Sequence, residues 1–247
     1  MNRPEQGRGE RPASQPVDLS EKGRRNGEVI RMDRRLFMQL HVFEGYFQES
    51  DLVEALENQD VKHHVLYADV NHPRGVGLLS WDEDAGAMSE RVRAVVDEPG
   101  FAELRVRPEF SMLGRSYAVG YEPDLEEILI RRPIRHATTS DWPWAIWYPL
   151  RRKGEFARLS EQEQREILME HGGIGRDYVE AGIAYDIRLA SYGLDTQDND
   201  FTIGLMGPAL HGLSAIVQAM RGSIQTSTYL EKLGPFFVGR KIWQPRD

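Results

Sequence analysis

His64-Val65-Leu66-Tyr67-Ala68-Asp69-Val70 and Val76-Gly77-Leu78-Leu79-Ser80-Trp81 are two strand-like runs joined through a turn containing His72-Pro73-Arg74-Gly75. Together they read as a β-hairpin. What flanks the hairpin decides the fold. Before it, Ser50-Asp51-Leu52-Val53-Glu54-Ala55-Leu56-Glu57 has an N-cap and acids in its first turn, so a short helix starts there. After it, residues 85–104 read as helix, with Met88, Val92, Val95 and Val96 spaced for one face. Outside the helices lie Arg35-Leu36-Phe37-Met38-Gln39-Leu40-His41-Val42-Phe43, a strand, and a further strand from Phe110 to Tyr121. The order β-α-β-β-α-β is the ferredoxin-like arrangement.

The second half repeats the order without visible sequence identity. Trp144-Ala145-Ile146-Trp147-Tyr148-Pro149-Leu150 is a strand, and Ser160-Glu161-Gln162-Glu163 is a capping box for a helix running to about Glu180. Ile183 to Tyr192 and Asp200 to Met206 are strands around a turn at 193–199, residues 208–232 read as one long helix, and Pro235-Phe236-Phe237-Val238-Gly239 opens the last strand. The expected fold is α+β: two tandem ferredoxin-like βαββαβ halves forming a dimeric α+β barrel within one chain. The expected divisions are a disordered tail over 1–30, the first half over 31–123, a connector over 124–141 whose helical start is interrupted at Pro133, and the second half over 142–247.

Composition narrows the function classes. A net charge of −8 opposes binding to phosphate backbones, so nucleic acid is not expected as a partner. The absence of cysteine excludes disulfides, thiolate metal sites and cysteine nucleophiles, and fits a reducing cytoplasm. No stretch approaches the roughly 18–20 apolar residues of a membrane span, and the N-terminus has no apolar segment of a secretory signal.

Seven histidines are present, with no HExxH motif and no helical i, i+4 pair. His171 stands apart. With Ile167 and Leu168 it lies on the apolar stripe of the second-half helix, and Gly172-Gly173 follow it. Two glycines inside a helix cost roughly 1 kcal/mol each against alanine, but they clear side chains from one side, which a flat macrocycle can use. Periodicity alone leaves a core histidine and a ligand equally open.

Four segments carry a family resemblance. Tyr148-Pro149-Leu150-Arg151-Arg152, Glu170-His171-Gly172, Gly193-Leu194-Asp195 and Gly234-Pro235-Phe236-Phe237-Val238-Gly239 occur in the order and near the spacing of motifs of the chlorite dismutase and coproheme decarboxylase family, over about residues 142–240. The resemblance implies a haem-dependent oxidoreductase with His171 as the axial iron ligand and haem b or iron coproporphyrin (coproheme) as the bound group. It also implies a small oxidant, peroxide or chlorite, and a homo-oligomer, with a pentamer expected. His171 then needs an acceptor for its second ring nitrogen, and the region of Gln225 is the candidate. Tyr148 matches the tyrosine that coproheme decarboxylases use as a radical relay, and Arg152 and Arg135 would bind propionates, for which guanidinium forks are suited.

One departure concerns the distal residue. The interval from His171 to Gly193 looks about two residues longer than the family's. Counting from the histidine gives Ala184, counting back from the turn gives Asp186, and a further shift gives Arg188. All three share one face of the strand, so a two-residue slip keeps that face toward the haem. Arg188 there would hold an anion or stabilise a developing oxyanion; Asp186 would do acid–base work, contact the cofactor, or pair with Arg188. The resemblance thus leaves three readings: peroxide-dependent coproheme decarboxylase, chlorite or peroxide enzyme on haem b, and non-enzymatic haem-binding or sensing protein.

Overall fold

The computed structural model describes residues 16–59 and 62–245. A hairpin of β1 (Glu21–Arg25) and β2 (Glu28–Met32) comes first, then β3 (Phe37–Glu44), α1 (Glu49–Glu57), β4 (His64–Asp69), β5 (Gly75–Asp82), α2 (Ala85–Val96), α3 (Pro99–Ala102), β6 (Arg105–Val106) and β7 (Met112–Ser116). A π-helical turn, Glu127–Arg131, leads into α4 (Arg132–Thr138). The second half comprises β8 (Trp144–Arg152), α5 (Gly154–Arg158), α6 (Glu161–Glu180), β9 (Tyr185–Ala190), β10 (Phe201–Gly207), α7 (Leu210–Arg221), α8 (Ile224–Tyr229), β11 (Leu230–Leu233) and β12 (Phe237–Trp243). Among the described residues, no helix is long and apolar enough to cross a membrane.

Each half is an antiparallel sheet of ferredoxin-like order, β7-β3-β5-β4 and β12-β8-β10-β9, and the two join at both edges, β7 to β9 and β4 to β12. The sheet therefore closes on itself and leaves no free edge on this ring. Alternation along the strands assigns two surfaces. Met38, Leu40, Val42, Tyr67, Trp81, Trp147, Ile187, Leu189 and Phe237 fill the interior. The opposite phase packs outward: Leu66, Val76 and Leu78 under α1 to α3, and Ile146, Tyr148, Leu150, Ala184, Phe201 and Leu205 with Leu213 and Ile216 of α7. Trp147 fits the interior because residue 204 is glycine; a Cβ there would stand 2.7 Å from the indole ring.

Several expected boundaries are corrected. The tail expected over 1–30 contains the β1–β2 hairpin, while residues 1–15 lie outside the described residues. That hairpin buries little; backbone pairing holds it together, and the Glu21 carboxylate docks it by accepting from Arg115 at 2.8 Å and from the Ala118 N–H at 3.0 Å. Pro133 does not interrupt the connector helix. It sits at the start of α4 directly after the π-helical turn, and the helical backbone runs on through it. The helix read over 85–104 breaks before Pro99, and the helix read over 208–232 breaks at Gly222, after which Ser223 caps α8 and Leu230–Leu233 pairs with β8. The strand expected from Phe110 to Tyr121 is confined to β7. Beyond it the chain folds around Glu122, whose carboxylate accepts from the N–H groups of Val119, Gly120 and Tyr121.

Candidate functional site

The capping box predicted for α6 is present, with Ser160 and Glu163 each bonding the other's backbone. The helix it starts is unusual: over its whole length it has no buried residue, and its main contacts are with α7 and α8 rather than with the sheet. Gly172 and Gly173 face open space, since a Cβ on either would meet nothing within 4 Å. These two positions lie on other sides of α6 than His171; on the His171 face the next turn carries Gly175, where a Cβ would meet only Met220, at 3.4 Å. Surface grooves beside the helix, one reaching Ile167 and Tyr229 and one reaching Tyr178 and Ala215, are not lined by His171.

His171 is held by one bond. Its Nδ1 lies 3.0 Å from Ser223 Oγ. The Ser223 hydroxyl donates to the Met220 carbonyl at 2.8 Å, so Oγ accepts from His171, and this pattern assigns the proton to Nδ1. Nε2 keeps its lone pair, the form that binds a metal. Burial lowers the ring's pKa first, and the charge of Arg152 lowers it further, so the imidazole is neutral. Alongside, Glu170 accepts the Ile224 N–H at 3.1 Å and ties α6 to the start of α8. Among the described residues, no group of three or more His, Asp or Glu side chains is placed to hold a metal ion. A metal on His171 would have to bring its remaining ligands with it, as a porphyrin does.

Tyr148, Asp186 and Arg188 occupy one face of the sheet. Register places Tyr148, Ile203 and Arg188 in a single row across β8, β10 and β9, with Ile146, Leu205 and Asp186 in the next but one. Tyr148 is buried and packs on Phe236 with ring centroids 4.8 Å apart. Burial, and then the charge of Asp186, pushes its phenol pKa up, so it is protonated at neutral pH. The Asp186 carboxylate lies 3.0 Å from Arg188 Nε. Burial dominates both shifts; Asp186 adds to the rise at Tyr148, while at His171 its effect ranks behind those of Arg152, Glu170 and Arg188. Ala184 is fully covered on the same face.

Arg152 sits at the end of β8, its guanidinium between the rings of Phe156 and Phe201, 4.7 Å from each. Its Nε is buried without a partner. Arg135 is not brought to this group; it lies on α4, half exposed and ion-paired with Glu127. Two residues escaped sequence reasoning. Ser223 was hidden inside what reads as one long helix, although a serine after Gly222 is a cap signal. Tyr117 belongs to the first half and reaches the site across the β7–β9 seam, with its ring 5.7 Å from Phe201 and its pKa raised by burial. No local pattern could have marked it.

Residues 111–242, from β7 to β12, match the family model described as chlorite dismutase. No curated protein matches the chain in sequence. Among solved structures, a heme-binding protein from Thermus thermophilus superposes with TM-score 0.68 at 16% identity, covering 86% of this chain and 92% of its own. A putative chlorite dismutase, TA0507, gives 0.65 at 13%, covering 85% and 96%. A mutant chlorite dismutase from Candidatus Nitrospira defluvii gives 0.61 at 14%, covering 85% and 92%. At these identities the superpositions establish the fold.

Proposed function

The chain belongs to the chlorite dismutase family, and from that premise we propose that it is a coproheme decarboxylase, holding an iron porphyrin through His171 and converting iron coproporphyrin to haem b with peroxide. When bound, the iron porphyrin supplies the redox chemistry with the oxidant. For each propionate, one hydrogen peroxide is consumed, a vinyl group and carbon dioxide form, and two waters are released.

The chain's residues fit that group. His171 presents a neutral Nε2, and Ser223 fixes the tautomer. Arg152 offers a buried, unpartnered Nε–H to a propionate carboxylate, and its flanking rings hold the guanidinium plane. Gly175, one turn beyond His171 on the same face, leaves room. Tyr148 keeps its proton at working pH, so it can give up an electron and a proton together and recover both from a propionate side chain. Phe236 and the covered Ala184 keep water from the phenol.

The observation that carries this reading is a His171 whose Nδ1 is held by Ser223, leaving Nε2 free for a metal, together with a Tyr148 buried against Phe236. A second reading, turnover of chlorite or peroxide on haem b, draws on Arg188 in the row of Tyr148. Titration with iron coproporphyrin and with haem b separates the two. The decarboxylase reading expects tighter binding of the four-carboxylate pigment and its conversion on adding peroxide. Binding of haem b alone would overturn it in favour of the second.

A further inference from the structure

We propose that Asp186 determines the class of oxidant the site accepts: paired with Arg188, it cancels the guanidinium charge in the row of Tyr148 and so selects an uncharged oxidant, a hydroperoxide, over an anionic one. This rests on the binding of an iron porphyrin by His171.

Asp186 and Arg188 are i and i+2 on β9, so both side chains project from the same face, and the carboxylate closes on Nε at 3.0 Å. Register fixes which groups they accompany: Arg188 shares its row with Tyr148 and Asp186 shares its row with Ile146. The groups facing Arg188 from other elements include Tyr117 after β7 and Tyr121 and Glu122 of the following loop, while Arg152, a cation that also faces Tyr117, is the arginine a propionate would neutralise. Glu122 is already engaged by three backbone N–H groups and stays in place. An anion approaching Arg188 therefore meets a guanidinium whose charge is matched by a fixed carboxylate.

An entering anion gives up hydration, and only an uncompensated positive charge restores that loss. A neutral hydroperoxide has no such requirement and can still accept from the guanidinium N–H groups that Asp186 leaves free. Specificity arises here by opposing the wrong ligand rather than by adding contacts to the right one. The pair also explains why an arginine on this face need not signal an enzyme for oxyanions.

The test uses full-length ferric protein loaded with haem b and titrated with azide and fluoride as anions and imidazole as a neutral ligand, followed by the Soret band. A single nearby charge typically shifts an ionic equilibrium by about tenfold or more. Asp186→Asn, an isosteric change at a half-exposed position, is expected to tighten azide and fluoride by about tenfold or more and to leave imidazole within about twofold. Asp186→Asn combined with Arg188→Ala is expected to abolish the gain. Equal changes for anions and imidazole, or a gain that survives loss of Arg188, would overturn the inference while leaving porphyrin binding standing. Absence of any Soret shift on loading would overturn the porphyrin reading and the inference with it.

Discussion

Tyr148 and Arg188 stand in one cross-strand row, each paired with Ile203 of the strand between them. The row places an oxidisable phenol and a guanidinium on the surface that also carries Asp186, the face on which the proposed function draws.

The bond from His171 to Ser223 gives the first prediction. His171→Ala should lose iron-porphyrin binding, measured as the Soret shift on titration. Ser223→Ala should keep the ligand but weaken binding by about 10- to 100-fold, the usual cost of removing an acceptor behind a metal-binding histidine. Equal affinity in Ser223→Ala and the native protein would contradict the tautomer assignment.

Arg152 gives the second. Its buried Nε has no partner among the described residues, and its backbone N–H is bonded to the Asp200 carboxylate at 2.8 Å independently of the side chain. Arg152→Leu should therefore fold. It should bind iron coproporphyrin about 10- to 100-fold more weakly, the range expected for one lost charge-assisted hydrogen bond. Competition titration against the native protein checks this.

The glycines of α6 give the third. With open space around Gly172 and Gly173, Gly172→Ala should stabilise the porphyrin-free protein by up to about 1 kcal/mol, read from the urea midpoint. Gly175→Phe, one turn beyond His171 on the same face, should fill that side and abolish porphyrin binding. Unchanged porphyrin affinity in that variant would place the ligand elsewhere.

Much of the architecture was legible in the sequence because the strands alternate cleanly and the order of elements repeats. The hairpin at 64–81 with a helix on either side was sufficient to imply a ferredoxin-like half. What could not be read depends on contacts across the chain. The β1–β2 hairpin is short and exposed and is held by Glu21 reaching β7, which no local hydrophobic pattern announces. The break at Gly222 and Ser223 lies in a segment otherwise suited to helix, so the partner of His171 was approached only through the neighbouring Gln225. The shared face of Ala184, Asp186 and Arg188 followed from strand alternation. Their pairing with each other and their row with Tyr148 required the register.

The fourth prediction concerns His64, buried under the N-terminal helices with Nδ1 2.8 Å from Ser80 Oγ. Burial first, then the charges of His63 and Arg91, lowers its pKa to about 4. An unfolded histidine titrates near 6.5, so between about pH 6.5 and 4 the unfolded chain takes up a proton that the folded chain refuses. Stability should fall as pH is lowered through that window, by ~3 kcal/mol in all from this residue. Urea midpoints at pH 7 and pH 5 should converge in His64→Gln relative to the native protein; an unaltered pH dependence would contradict the assignment.

The most direct test of the central claim is to load the native protein and Tyr148→Phe with iron coproporphyrin, add hydrogen peroxide stepwise, and follow the pigment by mass spectrometry. The account predicts loss of two carboxyl groups in the native protein. It predicts bound pigment of unchanged mass in Tyr148→Phe, which retains His171 and Arg152. A native protein that binds the pigment and leaves its mass unchanged, or a Tyr148→Phe variant that converts it as fast as the native protein, would contradict it.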